Sequence, residues 1–184
     1  MAKIAVVYHS GYGHTQRMAQ AVAEGAGAEL LAIDADGNFP DAAWATLAAA
    51  EVIIMGSPTY MGSVSWQFKK FADASSKQWF AQAWKDKIAG GFTNSSGLSG
   101  DKLATLNSMF TLAMQHGMIW ASQGLMPSST KAATRDDINN VGTYSGAMAQ
   151  SPSDASPAEM SKGDLETARL FGKRIADVAA RFNK

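Results

Sequence analysis

Apolar positions along the chain fall into two kinds of run. The short runs are nearly continuous and rich in β-branched residues: Lys3 to Tyr8 (KIAVVY), Glu29 to Ile33 (ELLAI), Glu51 to Gly56 (EVIIMG) and Lys87 to Phe92 (KIAGGF), the last weakened by Gly90 and Gly91. Such runs, without polar alternation, predict strands covered on both faces. Between them apolar residues recur at helical spacing. Met18, Ala19, Val22 and Ala26 mark a helix over Thr15 to Gly25, and Asp41 to Ala50 is an alanine-rich one. Trp66, Phe68, Phe71 and Ala72 give bulk to a helix over Ser65 to Ala74, with Trp66 expected in the core, and Lys102 to Gln115 is a long helix.

Gly117 to Trp120 opens a fifth strand. After it, Gln123 to Ala158 is rich in Ser, Gly, Pro and Asn, a long irregular stretch of the kind that is functional or disordered. Pro157 then precedes a helix to about Arg181, with Leu165, Ala168, Phe171, Ile175, Val178 and Phe182 on its predicted buried stripe. Strands alternating with helices predict one α/β domain, residues 1–184, built on a doubly wound parallel sheet with right-handed crossovers. In such sheets ligands bind outside the carboxyl ends of the strands, where the strand order switches. The loops after Tyr8, Gly56 and Phe92 are therefore the ones to examine.

Composition narrows the chemistry. The 184 residues, 46% hydrophobic, suit one unit with a real core. Sixteen basic and sixteen acidic residues leave a formal charge of zero, which disfavours nucleic acid and anionic membrane as partners. There are no cysteines, so redox chemistry needs a bound cofactor. No apolar run approaches the roughly 20 residues of a membrane span, and the start of the chain has no signal-like apolar region, so a cytoplasmic location is expected. Three scattered histidines without a carboxylate at ligand spacing predict no metal site.

Ser10-Gly11-Tyr12-Gly13-His14-Thr15 joins the first strand to the first helix. A helix N-terminus presents free N–H groups and a partial positive charge, and glycines let a phosphate come close. The same residues also suit an ordinary glycine turn with a hydroxyl cap. No lysine stands here, so a Walker loop fails. Gly11 and Gly13 match two glycines of a dinucleotide fingerprint, but Gln16 stands at the third; Asp34 lies where a ribose-binding acid would, which keeps that reading as a minor one. A single phosphate monoester, caged by amides and the Ser10 and Thr15 hydroxyls, fits better. The second loop, Gly56 to Ser63, has Pro58 to fix φ and Gly62 to permit an unusual one. The third, Thr93 to Gly100, offers small hydroxyl residues, with Ser99 a candidate helix cap.

These motifs together carry a resemblance. MAKIAVVYHSGYGH, AQAVAEGA, GSPTYMGSVSWQ, Trp79 eight residues before Lys87, HGM at His116 to Met118 and GTYSGA at Gly142 to Ala147 resemble the WrbA-type NAD(P)H:quinone oxidoreductases of the flavodoxin-like superfamily. The resemblance implies a five-stranded parallel sheet of order 2-1-3-4-5, FMN as cofactor, NADH or NADPH as donor and a quinone as acceptor in a ping-pong cycle. It implies that Ser10, Gly11, Tyr12, Gly13, His14 and Thr15 hold the FMN phosphate. Pro58, Thr59, Tyr60, Met61 and Gly62 would meet the isoalloxazine, as would Asn94, Ser95, Ser96, Gly97, Leu98 and Ser99. His116 would be the catalytic polar partner of the flavin, although the residue equally suits an exposed helix end. Tyr12 and Trp79 would border the space where nicotinamide and quinone stack. A homo-oligomer, dimer or tetramer, would complete the site.

The chain departs from that pattern twice. Tyr60 replaces a usual arginine, and only a short DADGNFPDAAW segment follows the second strand, where the pattern carries a longer excursion. The alternative reading is a flavodoxin-type FMN electron carrier that never meets NAD(P)H, although such carriers are usually strongly acidic and this chain is neutral.

Overall fold

The structure, a computed structural model, describes residues 2–182. Five strand positions form a parallel sheet. They are β1 (Ile4–His9), β2 (Glu29–Ile33), β3 (Val52–Tyr60), β5 (Ile88–Ser95) and a fifth shared by β6 (Ile119–Trp120) and β7 (Ala147–Gln150). Their spatial order is β2-β1-β3-β5-β6, with β7 also on β5 and a short β4 (Ser63–Val64) hairpinned on β3. This is the doubly wound, flavodoxin-like order, with its switch between β1 and β3.

The apolar runs behave as their lack of alternation requires. Every residue of β1 is buried, with Ile4, Val6 and Tyr8 on one face and Ala5 and Val7 on the other. The first face packs under α1 (His14–Ala26) and α6 (Lys162–Phe182), the second under α2 (Asp41–Ala49), α3 (Trp66–Ala74) and α5 (Lys102–Gln115). A short α4 (Ser76–Phe80) follows α3. Gly90 and Gly91 lie in β5 because its faces are crowded: a Cβ on Gly90 would strike Ile175 of α6, and one on Gly91 would lie 2.7 Å from Trp120 Cη2. Trp44 stacks on Phe71, whose ring also packs with Trp84.

Two strands outrun their predicted ends. β3 continues through Tyr60 and β5 through Ser95, so several residues expected in loops are strand residues. The reason is pairing beyond the apolar run: Ser57 opposes Thr93, Pro58 opposes Asn94, and β7 pairs with β5 from Phe92 to Ser95. The fifth strand is interrupted by residues 121–146. This stretch lacks helix and strand but is tied by buried amides and hydroxyls. Asn139 donates to the Leu125 and Thr143 carbonyls and accepts from the Thr143 N–H, while Thr143 donates to Gln123.

Three further expectations are corrected. Trp66 is exposed, because Phe68 and Phe71 fill the core side of α3. Phe182 is exposed at the end of α6. Ser99 does not cap α5; Asp101, in a left-handed conformation, occupies the cap position. Among the described residues no helix is long and apolar enough to cross a membrane, and no three His, Cys, Asp or Glu side chains gather as a metal site.

Candidate functional site

The cleft of greatest interest opens at the carboxyl ends of β1, β3 and β5, and measures about 690 Å³. Its floor is the turn from β1 into α1. Gly13 caps that helix with φ +90 and no side-chain cap, so first-turn N–H groups of α1 have no hydroxyl or carboxylate to satisfy them. Ser10 Oγ accepts from Gly13 N at 3.1 Å, which curls the turn around Gly11. Ser10, Gly11, Tyr12, His14 and Thr15 all line the cleft. The turn holds no lysine or arginine, and the α1 first turn no acid. A compact anion suits such a site.

One wall is the end of β3. Pro58, Thr59 and Tyr60 face the cleft. The Thr59 hydroxyl is already committed to Thr93 Oγ1 at 2.9 Å and Thr105 Oγ1 at 2.8 Å, which leaves the backbone to serve a ligand. Tyr60 crosses toward the floor: a Cβ on Gly11 would lie 2.5 Å from its hydroxyl oxygen, and its ring meets Tyr12 edge-on at 6.3 Å. Burial raises the Tyr60 pKa, so it stays a neutral phenol. The other wall is Asn94, Ser95 and Ser96.

A fourth segment, Ser151 to Pro157, closes the cleft beside the floor and was not singled out by residue from the sequence. Its link to the floor is direct. His14 Nε2 pairs with the Ala155 carbonyl oxygen at 2.8 Å, and Pro157 sits so near Gly13 that a Cβ there would approach it to 2.7 Å. Ser151 donates to Asn94 Oδ1 at 3.0 Å. The run Ser-Pro-Ser-Asp-Ala-Ser-Pro just before the last helix was the available signal: hydroxyls, prolines and an acid in place of core residues.

Several expected members stand elsewhere. Met61 and Gly62 form the two-residue turn between β3 and β4, both with positive φ, and Met61 points to solvent. Gly97 does not line the cleft, while Leu98 and Ser99 edge a separate groove beside Tyr144. His116 and Trp79 do not line the cleft of this chain. α3 starts beside the cleft at Ser65 and runs toward the other end of the sheet, and α5 ends there too. His116 lies at the foot of α5, 2% exposed, with Nε2 paired to Ser75 Oγ at 2.9 Å and its ring 4.2 Å from that of Trp84. Burial holds its pKa down at about 4, so it is a neutral core residue. Trp79 stands on α4 beside Phe80, away from the cleft residues. Asp34 accepts from the Asp36 and Asn38 amides and so stabilises its own turn. His9 is buried and paired to Ser65 Oγ, as a satisfied histidine at the strand end should be.

Residues 3–132 match the family described as NADPH-dependent FMN reductase. The chain belongs to that family, within the flavodoxin-like, FMN-binding superfamily. It is 56% identical over 183 residues to "Flavodoxin FldP" of Pseudomonas aeruginosa (strain UCBPP-PA14), covering 100% of both chains. Among solved structures it resembles the "flavodoxin, WrbA-like protein" of Agrobacterium tumefaciens, at 55% identity and TM-score 0.83, over 98% of this chain and 99% of that one. A flavodoxin from the domain Archaea shares the fold at 20% identity and TM-score 0.61, over 97% and 99% of the two chains.

Proposed function

We propose that the protein is an FMN-dependent reductase that takes two electrons from NADH or NADPH and passes them to a quinone. One observation carries this reading: the cleft combines an uncapped helix terminus ringed by hydroxyls with two aromatic rings in its lining, Tyr12, 78% exposed, and Tyr60. The helix terminus fits the phosphate of FMN, and the exposed ring of Tyr12 offers a face to a flat donor and acceptor in turn. When bound, FMN supplies a ring that accepts a hydride and later returns two electrons.

The chain's residues position and enclose. The α1 amides with Ser10 and Thr15 hold the phosphate end, the Ser151–Pro157 segment shields it, and Pro58 to Tyr60 and Asn94 to Ser96 flank the ring. The Tyr12 face offers a stacking surface at the mouth. Self-association of the chain belongs to this reading, supported by Leu103, Phe110 and Met114, exposed on one face of α5; sedimentation equilibrium tests it.

The flavodoxin names of the relatives favour a second reading, an electron carrier without direct NAD(P)H oxidation. Anaerobic titration separates the two. Protein loaded with FMN should bleach on adding NADH or NADPH and regain its colour with a benzoquinone. Failure of both nicotinamides to bleach a flavin that dithionite does bleach would leave the carrier reading.

A further inference from the structure

Lys102 opens α5 directly behind the Asn94–Ser96 wall, and only 1% of it is exposed. Its ammonium donates to Ser95 Oγ at 2.8 Å and to the Gly97 carbonyl at 2.6 Å. Ser95 Oγ in turn donates to the same Gly97 carbonyl at 3.1 Å. Two neighbouring carbonyls are drawn back as well: Ser151 N–H donates to Ser95 O at 3.1 Å, and Gln150 Nε2 donates to Ser96 O at 2.7 Å. Three successive carbonyl oxygens are thus occupied by the protein. Behind this wall of the cleft lies a buried cation. Among the described residues, no other lysine or arginine side chain is hydrogen-bonded to a cleft-lining side chain.

We propose that Lys102 is a positioning residue that raises the redox potential of the bound flavin, its buried charge and the loop it fastens both favouring the electron-rich, reduced ring over the oxidised one. This rests on the FMN reading of the cleft. A fixed cation beside a ring that gains negative charge stabilises the charged form more than the neutral one. A buried cation is poorly screened, so the effect survives at physiological salt.

The groups facing Lys102 do not cancel it. Asp164 on α6 and Arg135 in the 121–146 excursion are ion-paired to each other, and Asp164 also accepts from the Gln150 N–H. Asp101 precedes the lysine at the surface, and Asp154 lies on the cleft segment opposite. Desolvation lowers the lysine pKa to about 8, with Asp164 opposing that shift and Arg135 adding to it. The charge is therefore present at pH 7 and is lost as pH rises through about 8.

The test measures FMN affinity in the oxidised and reduced states for wild type, Lys102→Met and Lys102→Gln. Thermal melts establish that each variant is folded. Both variants remove the charge, while glutamine keeps a donor. The expected result at pH 7 is that the reduced-to-oxidised affinity ratio falls roughly tenfold in both, about 30 mV for a two-electron couple. The wild-type lead over both variants should close above about pH 8. A wild-type ratio in Lys102→Gln would overturn the proposal. In wild type alone, a ratio that keeps the pH dependence of free FMN through pH 8 would overturn it too, whatever the variants do. Wild type that binds no FMN in either state would instead sink the reading of the cleft.

Discussion

Single side chains at the cleft floor and at the foot of the sheet make opposite kinds of prediction. Ser10 shapes the floor by accepting from Gly13, and Thr15 is buried at the start of α1. A hydrogen bond to a charged group contributes about 1.5–3 kcal/mol. Ser10→Ala and Thr15→Ala should each weaken FMN binding by roughly tenfold or more while leaving riboflavin binding nearly unchanged, read by quenching of flavin fluorescence. Equal losses for the two ligands would show that the substitutions disturb the ring end instead. His116 behaves differently, because it belongs to the core. Its folded pKa of about 4 lies below the ordinary value of 6.5, so between those pH values the unfolded chain binds the extra proton. Stability should therefore be complete above about pH 6.5 and fall as pH drops toward 4, by up to about 3 kcal/mol. Buried His9, whose pKa is also lowered by desolvation, acts in the same direction. Urea unfolding of wild type and His116→Asn at pH 7.5 and 4.5 checks this: the variant should lose less on acidification, and NADPH-driven bleaching of its flavin should persist at pH 7.5.

At the scale of elements, what the residues showed in advance depends on how local the cause is. β2 was legible to its ends, since ELLAI is bounded by turn residues, and Lys102 to Gln115 likewise formed one helix. The extensions of β3 and β5 were not legible, because polar residues from Ser57 to Tyr60 and Thr93 to Ser95 are strand only through partners far along the chain. β7 was hidden for the same reason, and with it the Ser151–Pro157 wall that β7 delivers to the cleft. His116 stands apart from the cleft because α5 begins beside the Asn94–Ser96 wall and ends against Ser75, a direction its local motif does not carry. The pairing of α1 with α6 shows a further cause that sequence hides: a Cβ on Gly172 would strike the Val22 carbonyl, and one on Gly25 the Arg169 carbonyl. The two helices touch backbone to backbone, which sets the seat of the α1 N-terminus against Pro157. Gly172→Ala should destabilise the fold by about 1–3 kcal/mol through overpacking. Denaturant melts measure that loss, and an accompanying drop in FMN affinity would show that the helix pair also seats the phosphate turn.

For the whole molecule, the telling property is how charge is distributed around a redox site. The chain is formally neutral, and the turn from β1 into α1 has neither lysine nor arginine. A carrier that finds its partner through a strong field loses association rate steeply as salt screens that field, whereas a neutral enzyme fed by small molecules has little long-range steering to lose. Lys102, behind one wall of the cleft, is buried, and bulk ions reach it poorly. FMN affinity and the rate of flavin reduction by NADH should therefore vary by no more than about twofold between roughly 0.02 and 0.5 M salt. Stopped-flow reduction across that range is the measurement. A fall of tenfold or more would point to surface charges that guide a partner to the cleft, and would shift weight from the reductase to the carrier.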